Sequence, residues 1–383
     1  MKKRKICFVI VNRANYGRIK SLMLRIKNDK NFELQIILSS STLLKKYGKL
    51  DSILKKDGFK ISRSFYTHVE GETHSTMTKS TALSLLEISS SLNELKPDIV
   101  FTTGDRYETL ATAISASYMN IFLCHLQGGE LTGSIDENVR HAVTKLSHLH
   151  FACTAKSKQR IISMGENPQQ VYNVGCPSID LIKKINFKQK VNLKKHNFGI
   201  GYRVDLNKPY HVVLLHPVTT NYNNDILINS VLNAIFQLKT QVIWIWPNND
   251  AGANIITRKI RSFREKKKDL KINFYTNFEV EDYLKILNKC KSLIGNSSSG
   301  VRESSYLGVP VINIGDRQQG RERSNNIHDV EINSEKILKK INQVSKIKRY
   351  PKNLIYGKGD SISKIIKILK KTKLDIKKNF YEK

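Results

Sequence analysis

At 383 residues the chain is long for one hydrophobic core, and two domains of about 100–200 residues each are expected. A 40% hydrophobic content with only 20 Gly and 8 Pro excludes a disordered or fibrous protein. The net charge of +32 comes from Lys strewn along stretches such as 183–195, 258–271 and 336–349, without zinc-finger spacing, an RNP-like aromatic strand or an Arg-rich block, so a solvated face and an anionic small substrate are expected rather than nucleic acid.

In chain order, Ile6–Val11 predicts a strand, too short for a signal segment and broken by Asn12-Arg13. A loop over Asn12–Gly17 follows, then an amphipathic helix from Ile19 to Lys27 and a strand at Leu34–Leu38. Lys79–Leu95 predicts a helix ended by Pro97. Strands at Asp98–Thr103, Ile121–Leu126, His150–Thr154 and Val171–Val174 alternate with helices near Tyr107–Met119, Ile135–Leu146 and Lys156–Met164. The charged, Gly-punctuated stretch Lys183–Arg203 predicts a linker.

The alternation then restarts. Strands at Tyr210–Leu215, Gln241–Trp246, Lys271–Phe274, Ser292–Ile294 and Val309–Ile312 are separated by helices at Asp225–Leu238, Gly252–Lys267, Glu279–Leu287 and Val301–Leu307. Short apolar strands between helices predict an α/β protein with two parallel sheets covered on both faces and a cleft between them. The expected division is 1–180, 181–360, and a C-terminal helix and basic tail over 361–383, with Ile362, Ile365, Ile366 and Leu369 on the helix's apolar face. No apolar run approaches a membrane span, and the five Cys are scattered without a CxxC pair, so a cytoplasmic protein with reduced thiols is expected.

Polar residues recur at strand ends, where such sheets gather ligands. Arg13 follows the first strand and suits a carboxylate or phosphate. Asp105 in Thr103-Gly104-Asp105-Arg106 sits where a helix begins, which is also an ordinary N-cap position. In the run His125 to His141, a Gly-rich loop carrying Gln127 and Glu130 precedes a helix opening on Asp136 and Glu137. Those two acids suit a helix N-terminus. The four acids together exceed what capping needs and can divide acid and base work or bind Mg²⁺. His125, His141, His148 and His150 lack zinc spacing. Gly295 to Glu303 exposes N–H and hydroxyl groups suited to a diphosphate, with Glu303 placed for a ribose. Arg317, Arg321 and Arg323 lie in the following connection, and His216 closes the first strand of the second half as a phosphate donor, a proton carrier or a structural hydrogen-bonding group.

Read together, NRANYG (12–17), TGDRYE (103–108), HLQGGELTGSIDENVRHAVTKLSH (125–148), GCPSIDL (175–181), LHPVTTN (215–221), WPNNDAG (246–252), the run from GNSSSGVRE to GRER (295–323) and IYGKG (355–359) closely resemble the hydrolysing branch of the UDP-N-acetylglucosamine 2-epimerase family. The resemblance spans nearly the whole chain. It implies the two-Rossmann GT-B fold, a C-terminal helix returning to the first domain, no metal or nicotinamide cofactor, and a homodimer or homotetramer. It also implies a nucleotide-sugar substrate held mainly by the second domain. By the same resemblance Arg13 contacts phosphates, and Asp105, Glu130, Asp136 and Glu137 form the acidic pocket. His216 matches an essential His-Pro, Ser297, Ser298, Gly300 and Glu303 hold diphosphate and ribose, and Arg321 matches a further family position.

Two departures stand out: Gln127 replaces a common Glu, and Asn15 replaces a common acid. The implied reaction is loss of UDP with removal of the C2 proton, then hydration, giving free N-acetylmannosamine. Asp105 and Glu137 are expected as principal proton handlers, with Asp136 and Glu130 sharing the work. The alternative substrate is a UDP- or GDP-linked 2,4-diacetamido-2,4,6-trideoxyglucose.

Overall fold

The computed structural model describes residues 3–196, 199–220, 223–267 and 270–382. The first sheet is built from β1 (Arg4–Ile10), β2 (Phe32–Leu38), β3 (Arg63–Ser64), β4 (Ile99–Thr103), β5 (Phe122–Leu126), β6 (Leu149–Ala152) and β7 (Val171–Asn173). Their order is β3-β2-β1-β4-β5-β6-β7, parallel throughout. Consecutive β1 residues serve opposite faces: Ile6, Phe8 and Ile10 enter one core, Cys7 and Val9 the other. That double burial is why the strand reads as an unbroken apolar run.

The second sheet comprises β8 (Ile200–Gly201), β9 (Tyr210–Leu214), β10 (Gln241–Ile245), β11 (Ile272–Tyr275), β12 (Leu293–Gly295), β13 (Val311–Ile314) and β14 (Ile327–Val330). Its order is β14-β13-β12-β9-β10-β11-β8, with only β8 antiparallel to its neighbour. In both sheets the strand order reverses direction at one point, between β1 and β4 and between β9 and β12. Such a reversal opens a crevice at the carboxyl ends of the strands.

The sequence expected a loop over Asn12–Gly17, but the helix already begins at Arg13 and runs to Lys27. The Asn12 side chain accepts the Asn15 N–H at 2.8 Å, capping the first turn. Helix His74–Leu95 starts five residues before the predicted Lys79, at a capping box between Thr73 and Thr76. Within the predicted linker, the antiparallel β8 forms at Ile200–Gly201. The expected division near residue 180 falls inside helix Pro177–Lys184, whose Ile179, Leu181 and Ile182 pack into the second sheet's core.

Helix Ser361–Lys371 returns to the first domain, adding Ile362, Ile365, Ile366 and Leu369 to the core around Ile6 and Phe8. Asp180 fixes its start by accepting the Ser361 and Ile362 N–H groups, each at 3.1 Å. Among the described residues, no helix is long and apolar enough to cross a membrane, and all five cysteines are free and buried.

Candidate active site

A cleft of about 1850 Å³, open to solvent, lies between the carboxyl ends of the two sheets. Of the sequence-predicted residues, Arg13, Asp105, Asp136, His216, Ser297, Ser298, Glu303 and Arg321 line it. Gln127, Glu130, Glu137 and Gly300 do not.

Asp105 follows β4 on a tight turn whose Gly104 has φ +79°; a Cβ there would approach Arg18 Nη1 to 2.9 Å. Burial alone would raise the Asp105 pKa, but Arg140, Arg321 and Arg18 hold it well below the usual carboxylate range. Its Oδ2 accepts from Arg140 Nη2 and, at 3.5 Å, from Arg321 Nη2. Asp136, at the start of helix Asp136–Leu146, is in the opposite condition. Burial and the neighbouring Asp105 raise its pKa, against the lowering pull of Arg317, whose Nη2 lies 3.5 Å away. The two neighbouring carboxylates are thus pushed in opposite directions, Asp105 toward the anion and Asp136 toward the protonated form.

Glu130 is fully enclosed, its Oε2 gripped by Arg302 Nη2 at 2.5 Å and by Arg321 Nη1 from the second domain. Those arginines outweigh burial and pull its pKa down to about 2. In this arrangement Glu130 ties the first domain to Arg302 and Arg321 of the second and does not line the cleft. Glu137 turns back on its own loop, accepting the Thr132 N–H, with Oε1 3.8 Å from His141. Gln127 lies behind the cleft wall in a left-handed conformation (φ +70°), its Nε2 donating to Cys176 Sγ at 3.3 Å and its Oε1 unpartnered. Gly300 faces β13, where a Cβ would meet Val311 Cγ1 at 2.9 Å, so its smallness serves packing.

On the opposite wall His216 follows β9. Its Nδ1 accepts the Asn248 N–H at 3.2 Å, while Asn296 ties its backbone on both sides at 2.8 Å. Burial, Arg317 and Arg106 push its pKa well below 6.5, so the ring is neutral and carries its proton on Nε2. Ser297 caps the short turn Ser298–Gly300 after β12, and Ser298 Oγ accepts from Arg18 Nη2 at 3.1 Å. Arg13 reaches across the cleft, donating to Gly48 O at 2.6 Å and Phe278 O at 2.9 Å.

The UDP-N-acetylglucosamine 2-epimerase family model matches residues 24–370. The chain belongs to this family. It is 36% identical over 336 residues to the GDP/UDP-N,N'-diacetylbacillosamine 2-epimerase (hydrolyzing) of Campylobacter jejuni, covering 87% of this chain and 86% of that one. It is 32% identical over 368 residues to the UDP-N,N'-diacetylbacillosamine 2-epimerase (hydrolyzing) of Legionella pneumophila, covering 96% of each. The fold matches the Neisseria meningitidis UDP-GlcNAc 2-epimerase crystal structure with a TM-score of 0.78 at 17% identity, covering 96% of this chain and 100% of that one.

Within this hydrolysing UDP-sugar 2-epimerase the arginines are the residues sequence reasoning underweighted. Arg18 comes from the first helix, Arg106 from the β4 connection and Arg140 from one turn past Asp136, while Arg302 precedes Glu303. Arg140 and Arg302 are among the largest fully buried side chains. A buried arginine needs a carboxylate beside it, and pairing those in sequence with Asp105 and Glu130 was the available signal. Among the described residues no group of three or more His, Cys, Asp or Glu is placed to hold a metal ion.

Proposed function

We propose that this chain is a hydrolysing 2-epimerase of a nucleotide-linked 2,4-diacetamido-2,4,6-trideoxy sugar, releasing the nucleoside diphosphate and the free 2-epimer. The observation that carries the substrate class is the 36% identity, across most of both chains, to an enzyme named for diacetylbacillosamine. The cleft geometry supports the chemistry. The C2 proton is not beside a carbonyl, so the C1–O bond must break as that proton leaves, forming a glycal; water then adds at C1 as a proton returns to the opposite face of C2. Asp136, with its raised pKa, takes the C2 proton on one face, and water entering the open cleft delivers the returning proton to the other. Asp105 stays ionised and orients the sugar, which reassigns it from the proton-handling role expected from sequence. His216 Nε2–H donates to the departing diphosphate, joined by Arg321 and the Ser297–Ser298 hydroxyls. Glu303 accepts from the ribose hydroxyls.

UDP-N-acetylglucosamine is the second reading, supported by the family description itself. Turnover of UDP-N-acetylglucosamine against the UDP- and GDP-linked diacetamido sugars separates the two. The proposed reading requires at least a tenfold higher kcat/KM on a diacetamido sugar, and higher activity on UDP-N-acetylglucosamine overturns it. Reaction in D₂O must place deuterium at C2 of the product.

A further inference from the structure

The segment Trp246–Asp250 after β10 contacts both His216 and the first domain. Its Asn248 N–H is the group that occupies His216 Nδ1, at 3.2 Å. One side chain of the first domain, Arg106, bonds both of the next two residues, and the residues after them meet the same domain at Met77 Sδ (3.2 Å from Ala251 N) and Glu72 O (2.9 Å from Gly252 N). Arg106 donates through Nη2 to Asn249 Oδ1 at 3.0 Å and through Nη1 to Asp250 Oδ1. Asn249 also donates to Tyr107 OH at 3.3 Å, and Asn248 Nδ2 donates to Asp250 Oδ2. Arg106 is itself fixed from behind by Glu108, 3.2 Å from both Nε and Nη2, and by the Tyr107 ring 4.7 Å away. Arg106, Glu108, Asn249 and Asp250 are buried, while Asn248 and His216 are half-buried at the cleft.

We infer that Arg106 is a positioning residue for His216: by clamping Asn249 and Asp250 across the cleft, it presses the Asn248 N–H onto Nδ1 and so holds the ring as an Nε2–H donor. The proton on Nε2 is then assembled by closure of the two domains. When the cleft opens and Arg106 leaves Asn249 and Asp250, the segment loses the side-chain clamp nearest Asn248, the Asn248 N–H is no longer held on Nδ1, and the ring is free to exchange tautomers. A second-domain histidine thereby acquires its donor form only when the first-domain acids stand opposite it. The inference rests on the role given to His216 above, but the tautomer can be read without any substrate.

The test uses the full chain labelled with ¹⁵N-histidine, with His216→Gln identifying that ring's signals among the ten histidines. The unmodified protein must show His216 as a single neutral Nε2–H tautomer from pH 6 to 8. A protonated Nδ1 overturns the inference. In Arg106→Gln, and separately in Asp250→Asn, the signals must move toward a tautomer mixture. The expected kinetic partner is a fall in kcat of about 10-fold in Arg106→Gln, with KM changing less than 3-fold, because the donor acts on the departing diphosphate. Asp250→Asn keeps an acceptor for Arg106 and must give the smaller change in both readouts. An unaltered Nε2–H signal in both variants overturns the inference even if activity falls. If no nucleotide sugar is turned over while the tautomer responds as stated, the proposed substrate fails and the coupling stands.

Discussion

The rear and the mouth of the acidic pocket treat carboxylates in opposite ways. At the rear, Asp105 and Glu130 are surrounded by Arg140, Arg302 and Arg321, and both are held as anions. At the mouth, Asp136 has one cation at 3.5 Å, a like charge beside it and a raised pKa. All three are carboxylates; the close guanidinium contacts at Asp105 and Glu130, and the like charge of Asp105 beside Asp136, push their pKa values in opposite directions. A carboxylate saturated by arginine is a poor base, because protonating it forfeits two charge-assisted hydrogen bonds.

The largest effect should come at the mouth. Asp136→Asn removes the exchangeable proton and is expected to lower kcat about 10²–10⁴-fold while UDP affinity is retained. A drop below tenfold in steady-state kinetics would place proton transfer elsewhere. At the rear, Glu130→Gln should damage folding more than chemistry. Losing one side of a buried ion cluster costs about 3–5 kcal/mol, readable as a lowered denaturant midpoint. Because the folded pKa of Glu130 lies at about 2, below its unfolded value, its contribution is complete above about pH 4.5 and fades as pH falls toward 2. Acid unfolding of Glu130→Gln should therefore be shallower than that of the unmodified protein over that window.

A subtler change sharpens the contrast within the mouth. Arg317 pulls the Asp136 pKa down against burial and Asp105. Arg317→Met should move the acid limb of the kcat profile to higher pH, and an unmoved or lower limb would disconnect Asp136 from that limb. The smallest expected effect is Glu303→Gln, which weakens acceptance from ribose hydroxyls and should raise KM by roughly 3–10-fold, about 1 kcal/mol, with kcat preserved.

Most of this architecture was readable in the sequence because both faces of each sheet are buried. Runs such as Ile6–Val11 and Gln241–Trp246 then carry an unambiguous signal, and the strand ends follow from them. What the sequence left open depends on contacts between distant segments. Asp105, Glu130 and Asp136 all read simply as acids in the sequence, and only the convergence of Arg140, Arg302 and Arg321 from two domains separates their surroundings. Gln127 reads as a pocket residue from its neighbours, but its left-handed backbone directs the amide toward Cys176 instead. The first turn of helix Arg13–Lys27 was hidden because its cap is an Asn side chain within a run that resembles a polar loop.

The return of helix Ser361–Lys371 sets a timetable for synthesis. The strands that surround Ile6 and Phe8 leave the ribosome early, while Ile362, Ile365, Ile366 and Leu369 emerge only after every strand of the second sheet. At about 5–20 residues per second the interval is on the order of ten seconds or more. Throughout it the first domain presents an unfilled apolar trough, while the second domain, whose strands end at Val330, already has all of its sheet. The half made first therefore completes its core only after the second sheet has been made.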